Sequence, residues 1–172
     1  MDIFVEQIVT KKKDGKQIAI IAGTVVLAAL LLCLVVLFYA YLYILVPLLL
    51  FGVGYGAWWL ITQQNIEYEY SVTNGDIDID QIIARRKRKR IVSVGGHKIE
   101  SAGRYDPAKW ANRRMDRVVM AAPSLKEDGL YFFTYRSKKR GHTLVVFQPD
   151  QRVSDAFYKG LPRLVQLDWE KS

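Results

Sequence analysis

The chain has 172 residues, a net charge of +8 and an apolar content of 51%. Its length would be ordinary for one soluble domain. Its charges are placed unevenly, because residues 17–66 contain no Asp, Glu, Lys or Arg. The single cysteine, Cys33, lies in that block, so an internal disulfide and a cysteine-pair zinc site are excluded. Residues 67–172 are enough for one small hydrophobic core.

The uncharged block predicts two membrane-spanning helices. As a single helix, residues 18–62 would be ~68 Å long at 1.5 Å per residue, about twice the ~30 Å bilayer core. Tilt cannot absorb that excess. We therefore predict a transmembrane hairpin within residues 17–64, with antiparallel helices at about 18–39 and 45–61 and a tight turn between them.

Charges that flank the block predict its orientation. Four lysines precede the first helix, six consecutive basic residues follow the second at 85–90, and the turn has no charge. The positive-inside rule then predicts a multi-pass protein of the cell membrane with both termini in the cytoplasm. The cytoplasmic N-terminal segment, residues 1–16, could form a short interfacial helix with Ile3, Phe4 and Ile8 facing lipid, or a partly ordered tail.

Glycines in the second predicted helix suggest a packing site. Gly52 and Gly56 are four residues apart and share one helix face, which allows another helix to approach closely. The neighbour could be the first helix of the same hairpin or a second copy of the chain. No ionisable group lies in either span, which disfavours a transport path.

The pattern changes to strands in residues 65–172. Residues 66–72 alternate apolar and polar, Asn74-Gly75 is a residue pair typical of two-residue hairpin turns, and residues 76–80 alternate again. Further strands are predicted at 90–94, 98–104, 117–121, 130–136 and 143–148, with turns at 126–129 and 138–141. A short helix is expected at 107–113.

The C-terminal segment is predicted to be an amphipathic helix. Asp150 can cap it, and Val153, Phe157 and Leu161 fall on one face, with Gly160 as the expected end or kink. About seven antiparallel strands followed by one C-terminal helix is the element order of an α+β pleckstrin-homology-like domain. The overall prediction is therefore a membrane α-hairpin plus a cytoplasmic pleckstrin-homology-like (PH-like) domain.

The whole chain resembles an uncharacterised family of small bacterial two-span membrane proteins with a cytoplasmic PH-like domain of unknown function. The segments that carry the resemblance are MDIFVEQIV at 1–9, EYEY at 67–70, NGDIDID at 74–80, the basic run at 85–90 and LPRLV at 161–165. The resemblance implies the same topology and a PH-like domain, and it implies no activity.

The most distinctive polar feature is the basic run, which consists of Arg85, Arg86, Lys87, Arg88, Lys89 and Arg90. It could contact anionic lipid headgroups. It could also be a solvated strand edge or loop that resists unwanted pairing. Nucleic acid is not favoured, because no aromatic side chain is interleaved with these bases.

Other candidate sites have ordinary explanations. Asp76, Asp78 and Asp80 alternate, but an EF-hand would need Gly at position 81 and Glu at position 87, and these are Gln and Lys. The three aspartates read as the outward face of a strand that could pair with the basic run. His97 and His142 stand beside glycines and belong to no motif. We therefore predict no catalytic residues, no metal and no cofactor.

Together these features predict a non-enzymatic protein. Its PH-like domain would bind anionic lipid, an unidentified protein partner, or both, at the inner membrane face. The alternative is a structural subunit of a larger membrane complex, or a homodimer, assembled through the transmembrane hairpin.

Overall fold

The computed structural model describes residues 3–110, 113–125, 128–137 and 140–170. The chain divides into two compact units. The β-rich unit joins Met1–Lys11, Glu67–Ile82 and Arg86–Ser172, and the helical unit joins Lys12–Ile66 and Ile83–Arg85. One structural unit is therefore built from segments on both sides of the apolar block.

The helical unit contains three helices, α1 (Gly15–Leu37), α2 (Tyr39–Leu42) and α3 (Val46–Thr62). Among the described residues, α1 is the one helix long and apolar enough to cross a membrane, and α3 is apolar but shorter, at 17 residues. The predicted tight turn contains the short helix α2. The side-chain amide of Gln17 donates to the carbonyl of Gln64 at 3.3 Å, so the start of α1 lies beside the segment after α3.

The first sheet of the β-rich unit has the order β1-β2-β3-β4. Its strands are β1 (Phe4–Thr10), β2 (Ile66–Thr73), β3 (Asp76–Ile83) and β4 (Lys87–Val94). Asn74 and Gly75 have φ values of 51° and 88°, as a two-residue hairpin turn between β2 and β3 requires. Strand β4 begins within the basic run, three residues earlier than predicted.

The prediction of an interfacial helix in the N-terminal segment is wrong for Phe4–Thr10, which form strand β1. This strand pairs antiparallel with β2, from Phe4 opposite Thr73 to Thr10 opposite Glu67. Its exposure alternates with a period of two: Phe4 and Ile8 are 63% and 57% exposed, while Val5 and Val9 are half-buried. The free edge of β2 determines the structure of this segment, and its pairing partner lies beyond the whole hairpin in sequence.

The second sheet has the order β5-β7-β8-β6. Its strands are β5 (Ile99–Arg104), β6 (Arg117–Ala121), β7 (Tyr131–Ser137) and β8 (Gly141–Phe147). Strand β7 is antiparallel to β5 and to β8, but β6 runs parallel to β8. The described strands thus number eight where about seven were predicted, and they are not all antiparallel. The extra strand is β1, and the parallel pair arises because β6 adds to the far edge of β8.

Three helices complete the β-rich unit, α4 (Pro107–Trp110), α5 (Gln151–Gly160) and α6 (Arg163–Glu170). The carboxylate of Asp150 accepts from the backbone N–H of Val153 at 2.8 Å, which confirms the predicted cap of α5. Helix α5 ends at Gly160, and α6 begins after Leu161 and Pro162. The C-terminal segment therefore has two helices where one was predicted. Residues 111 and 112 of the predicted helix at 107–113, and 126, 127, 138 and 139 of the predicted turns, lie outside the described residues.

An aromatic cluster forms the core between the sheets and α5. Phe133, Phe147 and Phe157 are fully buried, with ring centroids 5.4–5.5 Å apart. The predicted apolar face of α5 is confirmed, since Val153 and Leu161 are buried with Phe157. Antiparallel strands capped by C-terminal helices fit the predicted PH-like domain.

Three glycines meet where the β2–β3 turn, the β4–β5 connection and the end of α5 converge. A Cβ added to Gly96 would overlap the carbonyl oxygens of Gly160 and Gly75, and one added to Gly75 would overlap the backbone of Gly160. Backbone cannot move aside as a flexible side chain can, so this junction requires the absence of side chains.

We predict that a two-residue loop can replace the helical unit. Thr10 and Glu67 face each other across β1 and β2, so Asn-Gly in place of residues 11–66 should close a tight hairpin. This shortened chain should fold cooperatively in water, as measured by thermal unfolding and amide exchange. A fragment of residues 67–172 lacks β1 and should be less stable or should aggregate through the exposed edge of β2. Equal stability of both would contradict the role of β1.

We also predict that Gly96→Ala destabilises the β-rich unit by about 1–3 kcal/mol, as overpacking at rigid neighbours does. Gly15→Ala is the control, because a Cβ at Gly15 meets nothing within 4 Å. Thermal unfolding of both variants in detergent micelles measures the difference. Unfolding temperatures that match the wild type in both variants would contradict the close approach.

Candidate functional site

The basic run lies across the turn between β3 and β4. Ala84 and Arg85 both have left-handed backbones, with φ values of 54° and 55°, and the side chain of Arg85 is exposed. The backbone N–H of Ala84 donates to the carbonyl of Asn65 at 2.8 Å. Because Asn65 follows the end of α3, this turn belongs to the helical unit through Ile83–Arg85.

Basic charge gathers in the helical unit where α1 begins and α3 ends. The unit contains Lys12, Lys13, Lys16 and Arg85 but a single acid, Asp14. All five of these side chains are exposed. The helices themselves contribute no charge after Lys16, so the positive field is confined to one end of the unit.

Two arginines of the run, Arg88 and Arg90, are paired with acids of the first sheet. Arg88 forms an ion pair with Glu69, whose side chain is 5% exposed. The guanidinium of Arg90 lies 3.0 Å from the carboxylates of both Asp78 and Asp80. The expected pairing of the aspartates with the basic run is therefore confirmed for Arg90, and these two arginines hold buried carboxylates in place.

The pKa values follow from these contacts. Burial raises the pKa of Glu69, a hydrogen bond with Glu6 raises it further, and Arg88 counteracts both. The hydrogen bond to Asp80 raises the pKa of Arg90, with a further contribution from the charge of Asp78. Within the basic run, Arg88 and Arg90 therefore serve to pair with acids of the first sheet.

Lys87 and Lys89 complete the run and differ from their arginine neighbours. Both are exposed, and neither forms a hydrogen bond or ion pair within the part of the chain that the structure describes. Arg85 and Arg86, at the start of the run, are exposed as well.

The predicted helix-packing glycines line an open cleft between α1 and α3. The cleft has a volume of about 250 Å³, and its walls include Gly52 and Gly56 on α3 and Thr24 and Ala28 on α1. A Cβ added to either glycine would meet nothing within 4 Å. The small size of these residues is therefore not required by contact with α1.

Two of the remaining candidates, Asp76 and His142, form contacts within the protein. Asp76 accepts from the backbone N–H of Gly96 at 3.1 Å. A ring nitrogen of His142 lies 2.6 Å from a carboxylate oxygen of Glu100. The backbone N–H of His142 donates to the carboxylate of Asp116 at 2.7 Å. Within residues 3–110, 113–125, 128–137 and 140–170, no three His, Cys, Asp or Glu side chains form a group that could hold a metal ion.

Comparisons with known proteins identify the family of the chain. No curated protein and no solved structure matches it. A family model described as "Bacterial PH-like domain (DUF6106)" matches residues 1–167. That match includes β1, the helical unit, α5 and the first five residues of α6, so it treats the strand before the hairpin and the sheet after it as parts of one family domain. The chain therefore belongs to the bacterial PH-like domain family DUF6106.

Proposed function

We propose that this protein is a non-enzymatic PH-like module, anchored in the bacterial cell membrane by a two-helix hairpin, with its basic turn on anionic lipid. The observation that carries the proposal is the turn at Ala84 and Arg85. It is hydrogen-bonded to the end of α3 and lies with the basic residues that precede α1. A protein partner binding the domain at the inner membrane face completes the proposal.

The pairing of β1 with β2 supports two membrane crossings. If α1 crosses the bilayer, the chain must cross back before Glu67, because Glu67 lies opposite Thr10 in one sheet. Of the described segments between them, α3 is the apolar helix that could return. At 1.5 Å per residue α3 is ~26 Å long, slightly below the ~30 Å bilayer core, and local thinning or flanking aromatic residues accommodate such a difference.

The charges near the helix ends support the orientation and the lipid contact. Lys12, Lys13, Lys16 and Arg85 are at the end of the helical unit where the chain enters and leaves it. The positive-inside rule assigns that end to the cytoplasm. Each basic residue near an anionic surface contributes roughly 1 kcal/mol. We therefore assign lipid contact to Arg85 and Arg86 at the turn and to the exposed Lys87 and Lys89 beside it. Arg88 and Arg90 are omitted because their guanidinium groups hold carboxylates of the first sheet.

We predict that the double variant Arg85→Gln/Arg86→Gln weakens the affinity for phosphatidylglycerol by about 5- to 30-fold, the loss of ~1–2 kcal/mol of headgroup attraction. Native mass spectrometry of the full chain in mixed micelles counts bound phosphatidylglycerol against phosphatidylcholine. The control is Lys159→Gln/Arg163→Gln, which removes the same charge from exposed positions in α5 and α6. Equal losses in both double variants, or wild-type affinity in the first, would refute the lipid contact.

A second candidate function is assembly through the hairpin. It is favoured by the cleft at Gly52 and Gly56, which the hairpin leaves unfilled. Small residues at such a face allow another helix to approach closely, as in membrane helix dimers. The occupant under this proposal is a span of a second copy or of a larger complex.

We predict that Gly52→Cys and Gly56→Cys each give disulfide-linked dimers in native membranes, in a background where Cys33 is replaced by Ala. Phe51→Cys is the control, because Phe51 is 70% exposed and is not part of the cleft wall. Crosslinked bands on non-reducing gels report the contact. Monomers alone, or crosslinking at Phe51 as efficient as at the two glycines, would contradict self-association through the cleft.

A further inference from the structure

A cavity in the β-rich unit lies at the opposite end of the first sheet from the basic turn. It has a volume of about 660 Å³ and is bordered by the β2–β3 turn, the end of β4 and the last residues of β7. Its polar walls include hydroxyl, carboxylate, ammonium and guanidinium groups. A volume of this size is within the range of small-molecule sites, ~300–1,000 Å³.

The carboxylates of the cavity are already engaged by donors of the protein. Asp76 accepts from the backbone N–H of Gly96 at 3.1 Å, and Asp78 lies 3.0 Å from the guanidinium of Arg90. A bound ligand therefore meets acids whose charge is at least partly compensated. Asp76 and Asp78 therefore attract a cation more weakly than two carboxylates without such donors would.

Five donor side chains of the cavity, in contrast, have no partner among the described residues. Lys98 and Arg136 form no ion pair or hydrogen bond with the described residues, and neither do the hydroxyls of Ser93 and Ser137. Tyr135 is 7% exposed, and its hydroxyl has no hydrogen-bond partner among the described residues. A buried hydroxyl left without a partner costs ~1–3 kcal/mol, so this group favours a ligand that accepts a hydrogen bond.

We propose that this cavity binds a small oxyanion ligand, a phosphorylated or carboxylated molecule of metabolite size. Lysine supplies a point charge and arginine a planar fork, the two cationic groups that recognise phosphate and carboxylate oxygens. The hydroxyls of Tyr135, Ser93 and Ser137 complete a set of donors that find no acceptor within the described parts of the chain. The volume leaves room for more than one bare anion, so the ligand carries further polar groups.

The cavity is separate from the proposed lipid contact. Strand β1 runs from Phe4, opposite Thr73 beside the cavity, to Thr10, where the chain leaves for α1. The β3–β4 turn is at the Thr10 end of the sheet, and the cavity is at the Thr73 end. This inference therefore stands independently of the proposed function and concerns a ligand that reaches the far end of the domain.

Calorimetric titration of the full chain in phosphatidylcholine nanodiscs tests the proposal, with inorganic phosphate and pyrophosphate as the titrated anions. We expect saturable binding of one pyrophosphate per chain. Lys98→Gln should weaken it about 10-fold or more, and Tyr135→Phe, which removes only the hydroxyl, about 3- to 10-fold. The matched controls are the exposed Lys109→Gln on α4 and Tyr131→Phe on the same strand as Tyr135, and both should bind as the wild type does.

Three results would overturn the proposal: no saturable heat with either anion, wild-type affinity in both cavity variants, or equal weakening by Lys109→Gln and Lys98→Gln. A second titration in nanodiscs that contain phosphatidic acid distinguishes the two sources of phosphate. Competition by phosphatidic acid assigns the site to a lipid headgroup, whereas unchanged pyrophosphate binding assigns it to a soluble ligand. The amide signals of Lys98 and Ser137 should shift on binding in either case.

Discussion

The pairing of β1 with β2 is the constraint on which the rest of the structure depends. Thr10 and Glu67 are neighbours across one pair of strands, although the whole apolar block separates them in sequence. This contact adds an edge strand to the first sheet and fixes where the chain enters and leaves the helices. The turn at Ala84 reaches Asn65, just after α3, through the pairing of β2 with β3. The domain is therefore continuous in space and interrupted in sequence.

The acids and bases of the first sheet explain why the basic run does not act as one surface. Glu69 and Asp80 are almost fully buried, and an unpaired charge there would be costly. Arg88 and Arg90 meet that need, since a buried carboxylate is tolerated when an arginine pairs with it. The run is thus a combination of sheet-stabilising arginines and exposed bases, a division that charge counting does not reveal.

Much of the fold could be predicted because its signals are local. The Asn74-Gly75 turn, the Asp150 cap and the buried face of α5 depend on residues close in sequence. Strand β1 could not be recognised in this way, because its apolar residues come in the pairs Phe4-Val5 and Ile8-Val9 and lysines follow it, a pattern that is also compatible with an interfacial helix. Its partner strand decides between them, and no local pattern identifies that partner.

The candidate sites show the same limit. The basic run was found from composition, but its ion pairs depend on Glu69 and Asp78, which lie on other strands. The cavity was missed entirely, since Lys98, just before β5, and Tyr135, on β7, are far apart in sequence and belong to no motif. The signal that could have indicated it is weak: a tyrosine at a core-facing strand position close to the strand end.

The interruption of the domain by the hairpin has a consequence for biosynthesis. Strand β1 leaves the ribosome before the helical unit and cannot pair until β2 has been made. If the hairpin crosses the membrane twice, as we propose, a chain whose second helix failed to insert would leave β1 and β2 on opposite sides of the bilayer, and they could not pair. Under that proposal, completion of the domain reports correct insertion, and a wrongly inserted chain remains unfolded and open to proteolysis.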